Sequence, residues 1–221
     1  MRITAVERLT HRLNGVSVDG EPAFVLSDRE LVRYGIAQDS DITPELYEKI
    51  ISETEVPRVR IKVLNLLASM DRTEAELRRY LRKNHTSERI IDDTVQYLKS
   101  AHYLDDDRYT DSFIRSRIGS MSRREIWNRL AQKGIGKDSF DRIYEECCDD
   151  IIRPGESQSP ERKAAVKALG KKIGTRTTLD PREKMKVFAY MFRKGFGRSD
   201  ILAAFDCLGV SIGPEEVPET D

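Results

Sequence analysis

Two periodicities divide the chain. Over residues 1–36 the apolar positions follow a strand-like spacing. Ile3, Ala5 and Val6 open a short run, Val16-Ser17-Val18 alternates, and Ala23-Phe24-Val25-Leu26 continues beyond Asp19-Gly20, a hairpin turn signal. Pro22 suits a strand edge, where its missing N–H costs no ladder bond. Ser27 then caps a short helix, Asp28 to Tyr34, closed by Gly35. Thr43-Pro44 starts another, with Ile42, Leu46 and Ile50 on one face.

From Val56 onward every pattern is helical. Val59, Val63, Leu66, Leu67 and Met70 form one stripe. Thr73-Glu74-Ala75-Glu76 is a capping box opening a helix that turns Leu77 and Leu81 inward, and Ser87 caps the next, with Ile90, Ile91, Val95 and Leu98 on one face. The design recurs. Asp105 to Arg117 carries Tyr109, Phe113 and Ile114; Ser122 to Glu125 is a second capping box before Ile126 and Leu130; Asp138 leads into Phe140, Ile143, Tyr144 and Cys147. After a polar linker, Pro154 to Pro160, Ala165, Ala168 and Leu169 share a helix, Asp180-Pro181-Arg182-Glu183 starts the next with Phe188, Met191 and Phe192 along it, and Ile201, Phe205 and Leu208 line the last.

Superimposing these sets gives an internal repeat without gaps. Glu76, Glu125 and Lys186 correspond, followed by Leu77, Ile126 and Val187, by Leu81, Leu130 and Met191, and by Ile91, Phe140 and Ile201. The turn after each central helix falls at His85, Gly134 and Gly195. Glycine there supplies a left-handed residue without a Cβ penalty, so the His85 turn is expected to be less regular or strained. The organisation read from this pattern is a β-hairpin and short-helix extension at 1–54, three-helix repeats at 55–104, 105–153 and 154–209, and a disordered acidic tail at 210–221.

Charge sharpens this division. The 38 basic and 38 acidic residues cancel, yet the five segments carry net charges of −4, +3, −1, +6 and −4. A basic block between acidic ends points to a polyanionic partner or to a solvated helical surface. No stretch approaches the length of a membrane helix, no secretory signal opens the chain, and a cytoplasmic protein is expected. Cys147, Cys148 and Cys207 form no disulfide framework, and His11, His85 and His102 have no metal-ligand spacing. Lys133 to Gly136 and Lys194 to Gly197 read as turns rather than phosphate loops, and Asp105 to Asp107 as a helix cap rather than a metal site. No catalytic constellation is present, so neither an enzyme nor a cofactor is expected. Trp127, beside Ile126, reads as core rather than as a binding anchor.

From about residue 1 to 209 the chain resembles the bacterial RecX regulatory proteins. The most specific stretch is Tyr103 to Arg117 (YLDDDRYTDSFIRSR), where that family shows a (Y/L)-(L/I)-D-(D/N)-x-(R/K)-(F/Y) run leading into (F/W)-(V/I)-x-x-(R/K). Ser122 to Ile135 resembles its next motif, and Val18 to Glu21 the β-hairpin extension of some members. Asn84-His85-Thr86 departs from a common Lys-Gly turn, and Met121-Ser122 from a more basic or glycine-containing one.

The resemblance implies a mainly α fold of tandem three-helix repeats in an elongated, curved array. It also implies a non-enzymatic partner of the RecA–single-stranded-DNA filament, lying along its groove and limiting filament growth or promoting disassembly. Strand exchange, RecA ATP hydrolysis and coprotease function would fall as a result. A monomer that touches single-stranded DNA directly or through RecA, and no membrane, is expected.

The residues expected to face that partner form a discontinuous basic ridge. They are Arg78, Arg79, Arg82 and Lys83 in the first repeat; Arg115, Arg117, Arg123, Arg124 and Arg129 in the second; and Lys167, Lys171, Lys172, Arg193, Lys194 and Arg198 in the third. The alternative for each is a solvated cation paired with Glu or Asp. The alternative for the whole chain is a helix-turn-helix-like protein that binds DNA without RecA.

Overall fold

The computed structural model describes residues 1–151 and 159–213. Most of the expected linker and acidic tail therefore lie outside the described residues. The chain forms two compact units, Met1–Asp106 and Asp107–Asp221.

The first unit opens with strands β1 (Ile3–Arg8), β2 (Leu13–Val18) and β3 (Glu21–Ser27), in an antiparallel sheet of order β1-β2-β3. Asp19 (φ 50°) and Gly20 (φ 92°) both take left-handed backbone, as a two-residue hairpin turn between twisted strands requires. Pro22 lies on an edge strand, at a register shift opposite Ser17. The expected hairpin is thus one strand short. Ile3 to Arg8 pairs along β2 as well, with Ile3 opposite Val18 and Val6 opposite Val16.

Helix α1 (Asp28–Tyr34) carries a reciprocal Ser27–Glu30 capping box and ends at Gly35 (φ 64°). Helix α2 (Pro44–Ile50) passes through a π-helical turn, Ile51–Glu55, directly into α3 (Val56–Ser69). Pro57 explains the widened turn: lacking an N–H and crowding the preceding carbonyls, it cannot close a regular i→i−4 ladder. The helix therefore runs unbroken across residues 54 and 55. Helices α4 (Glu74–Lys83) and α5 (Glu88–Ser100) complete the unit. One apolar cluster unites Phe24 and Leu26 of the sheet with Ile50, Val63, Leu77, Leu81, Ile91 and Leu98.

The second unit holds two helix triplets. Helices α6 (Asp106–Arg117), α7 (Arg123–Gln132) and α8 (Lys137–Ile151) enclose Ile114, Ile126, Leu130, Phe140, Ile143 and Cys147. Helices α9 (Pro160–Ile173), α10 (Pro181–Arg193) and α11 (Arg198–Cys207) enclose Ala164, Ala165, Leu169, Met191, Ile201 and Phe205. The all-helical expectation beyond Val56 needs one correction. Strands β4 (Thr178–Leu179) and β5 (Ser211–Ile212) form a short parallel pair. Two residues are too few to show a strand period, and a parallel pair has no hairpin turn to announce it.

The three central helices end alike. The amides of His85, Gly134 and Gly195 donate to Arg82, Ala131 and Phe192 carbonyls, and those of Thr86, Ile135 and Phe196 donate to Leu81, Leu130 and Met191. This double bond pattern satisfies the carbonyls that a helix end leaves open. It requires a left-handed residue, and φ is 59° at His85, 86° at Gly134 and 95° at Gly195. The His85 turn is therefore as regular as its counterparts, with the conformational cost carried by a histidine. The starts differ more. The box at Thr73 and Glu76 is reciprocal, and α10 begins one turn earlier, at a reciprocal Asp180–Glu183 box. At Ser122 the cap runs one way only, because the Glu125 carboxylate is drawn to Arg129 (3.0 Å) and Lys194 (3.6 Å).

Candidate basic interface

Pairing separates the candidate cations. On α4, Arg78 reaches Glu74 at 2.7 Å and Asp92 at 2.6 Å, and Arg82 forks Glu88 at 2.6 and 2.9 Å. Hydrogen bonds to these carboxylates raise both guanidinium pKa values. Arg79 and Lys83 are exposed and make no ion pair among the described residues.

In the second unit, Arg115 bridges Asp111 (2.8 Å) and Asp150 (2.7 Å), and Arg129 pairs with Glu125. Arg117 is half-buried, its guanidinium 5.3 Å from the Phe113 ring centroid. Arg123 pairs with Asp141 (2.9 Å) and Glu145 (3.3 Å) and lies 4.8 Å from the Tyr144 ring centroid. These four residues fit the paired or packed alternative. Arg124, Lys167, Lys171, Arg193 and Arg198 are exposed and make no ion pair among the described residues.

Several of the remaining groups meet. Lys172 and Lys194 place their ammonium groups 5.0 and 5.9 Å from the centroid of the half-buried Tyr190 ring. The Lys194 carbonyl accepts a hydrogen bond from Ser122 Oγ at 2.5 Å. The adjacent Gly195 lies so close to α7 that a Cβ there would come within 2.7 Å of Arg124 Cβ. The second triplet's central helix is thus joined to the third's through Ser122, Arg124, Lys194 and Gly195.

Beside this junction lies a cleft of about 350 Å³, lined by Arg123, Arg124, Trp127, Lys137, Phe140 and Gly195. Trp127 is half-buried, with its ring centroid 5.2 Å from that of Phe140. Lys137 holds its ammonium 5.2 Å from the indole and ion-pairs with Asp141. The sequence reading missed the exposure of Trp127. Inward positions on α7 are Ile126 and Leu130, and a residue one step from that stripe sits at its edge.

Glu161 organises the same region from α9. Its carboxylate accepts from the Arg123 amide at 2.9 Å and from the Tyr144 hydroxyl at 3.4 Å. Burial raises its pKa despite the amide. Among the described residues no helix is long and apolar enough to cross a membrane, and no group of three or more His, Cys, Asp or Glu side chains is placed to hold a metal ion.

Residues 60–98, spanning most of α3 with α4 and α5, match the family model described as RecX, first three-helix domain. The regulatory protein RecX of Clostridium perfringens (strain 13 / Type A) is 28% identical over 199 residues, covering 88% of this chain and 90% of that protein. The regulatory protein RecX of Streptococcus pneumoniae (strain CGSP14) is 26% identical over 224 residues, covering 99% of this chain and 81% of that protein. Two crystal structures share the fold. A regulatory protein RecX superimposes with a TM-score of 0.57 at 21% identity, over 93% of this chain and 98% of the other. RecX from Lactobacillus salivarius does so with a TM-score of 0.53 at 19% identity, over 71% and 97%. The motif around Tyr103 to Arg117, the tandem helix triplets behind a small N-terminal sheet, and this likeness along nearly the whole chain agree: the first three-helix domain matches that of RecX, and the chain as a whole is similar to the RecX regulatory proteins.

Proposed function

We propose that this protein binds the RecA–single-stranded-DNA filament as a cytoplasmic monomer. Bound along the groove, it limits filament extension or promotes disassembly, and so lowers recombination, RecA ATP hydrolysis and coprotease activity. The observation that carries this reading is the unequal pairing of the cations. In the first two repeats most candidates are held by neighbouring carboxylates, whereas Lys167, Lys171, Arg193 and Arg198 of the third make no ion pair among the described residues. Cations without local partners keep their full attraction for a polyanion, and many weak contacts along a repeating partner add by effective concentration. No catalysis by the protein itself is part of this reading.

Reversal of Lys171, Lys172, Arg193 and Lys194 to glutamate tests it. A folded quadruple variant is expected to lose inhibition of RecA ATP hydrolysis. Inhibition at the wild-type level would remove the third-repeat surface from the account.

A further inference from the structure

We propose that the Trp127 cleft is a stacking site for a base of single-stranded nucleic acid, with Arg124 engaging an adjoining phosphate. This deepens the filament reading and rests on it for the source of the strand.

Three features of the cleft fit that ligand. First, it offers an aromatic surface. Trp127 lines it with an indole that is half-buried rather than enclosed in the core, backed by the fully buried ring of Phe140. An indole leaning on a second ring is a rigid platform for a flat base.

Second, the charges around it are unequal. Asp141 is shared by Arg123 and Lys137, Glu145 is held by Arg123, and Glu125 is held by Arg129 and Lys194. Arg124 remains as the lining cation without an acidic partner among the described residues. Through Gly195 and Lys194 the surface continues to Tyr190, a second half-buried ring flanked by Lys172 and Lys194. Alternating rings and cations match a strand that presents one base and one phosphate per step. An acidic peptide would answer Arg124 and leave the indole uncovered.

Third, the lining holds no carboxamide or free carboxylate to read base edges, and the cations Arg123 and Lys137, which could read guanine, are held by Asp141 and Glu145. Binding should therefore tolerate any sequence.

Trp127 is the chain's single tryptophan, so its emission reports on this site alone. Titrating the full-length protein with short oligothymidylate or oligodeoxyadenylate, without RecA, is expected to quench that emission at least about twofold with either, as base–indole stacking predicts. Arg124→Glu, which leaves the indole in place as the reporter, should weaken the apparent affinity at least about tenfold, the loss of one favourable phosphate contact and the gain of a repulsive one. Unchanged emission at saturating oligonucleotide, or equal quenching by polyglutamate, would overturn the proposal. Unchanged emission in a protein that still inhibits RecA would do so while leaving the filament reading in place. Quenching in a protein without effect on RecA would uphold the stacking site and defeat the filament reading.

Discussion

The backbone amide of Arg123, the first residue of α7, donates to the Glu161 carboxylate at 2.9 Å. One repeat earlier, the amide of Glu74, the first residue of α4, donates to Asp106 at 2.9 Å. In both cases an acid at the start of a later helix satisfies an amide that the central helix cannot bond itself, and places negative charge at a helix N-terminus. Loss of such a half-buried acceptor costs about 1–2 kcal/mol. Glu161→Ala is expected to lower the stability of the second unit by that amount in urea denaturation. Glu161→Gln keeps an acceptor and removes a carboxylate whose pKa burial already raises, so it should cost clearly less. Equal losses would show that packing, not the hydrogen bond, matters there.

The equivalent turn residues should respond in opposite directions. Gly195 sits at φ 95°, and a Cβ would come within 2.7 Å of Arg124 Cβ and 2.9 Å of Ser122 Oγ. Gly195→Ala is therefore expected to destabilise by at least about 2 kcal/mol, left-handed strain and steric overlap adding. His85 occupies the same conformation at φ 59°. His85→Gly relieves a strain of about 1–2 kcal/mol, part of which is offset by greater freedom of the unfolded chain. A higher melting temperature for His85→Gly and a lower one for Gly195→Ala would establish the equivalence energetically.

Glu55 gives the first unit a distinct pH dependence. It is 1% exposed, with Arg58 Nη1 3.6 Å away, and burial raises its pKa to about 7 from an ordinary value of 4.5. The folded state thus binds a proton more readily than the unfolded state between about pH 4.5 and pH 7. Stability attributable to this group is complete below that window and is lost as pH rises through it, by roughly 3 kcal/mol. Urea midpoints of the wild type should fall across this interval, and Glu55→Gln should flatten the fall. A wild type whose stability rose from pH 5 to pH 7 to the same extent as the variant's would contradict the assignment.

Thiol chemistry should follow burial. Cys207 is exposed, Cys148 half-buried with its pKa raised by burial, and Cys147 fully buried and pushed up to about 12. An aromatic disulfide reagent at neutral pH is expected to modify Cys207 first, Cys148 more slowly and Cys147 only on unfolding, because the thiolate is the reactive form. Mass mapping of the modified peptides gives the order, and early labelling of Cys147 would refute it.

Much of the fold is legible in the chain because its signals are local. Capping residues such as Thr73 and Asp180, and the stripe Leu77, Leu81, Ile126 and Leu130, act within a few residues of themselves. What escaped depends on distant partners. The pairing of Ile3 to Arg8 with β2 and of Thr178 with Ser211 is decided by tertiary packing. The candidate interface was legible as a list of cations but not as a surface. Arg78 and Arg82 differ from Arg79 and Lys83 only in the carboxylates that α4's neighbourhood supplies. Trp127 was read as core from its neighbour Ile126; its place at the edge of the stripe follows from helix spacing, but the cleft it lines with Gly195 and Lys137 does not.

The proposed partner is a RecA filament rather than DNA alone. The most direct test is the affinity of the full-length protein for single-stranded DNA with and without RecA and nucleotide, across a salt series. RecA is expected to raise the affinity at least about tenfold at physiological salt, where isolated phosphate contacts are weak. Equal affinity for naked DNA and for the RecA-coated strand would contradict it.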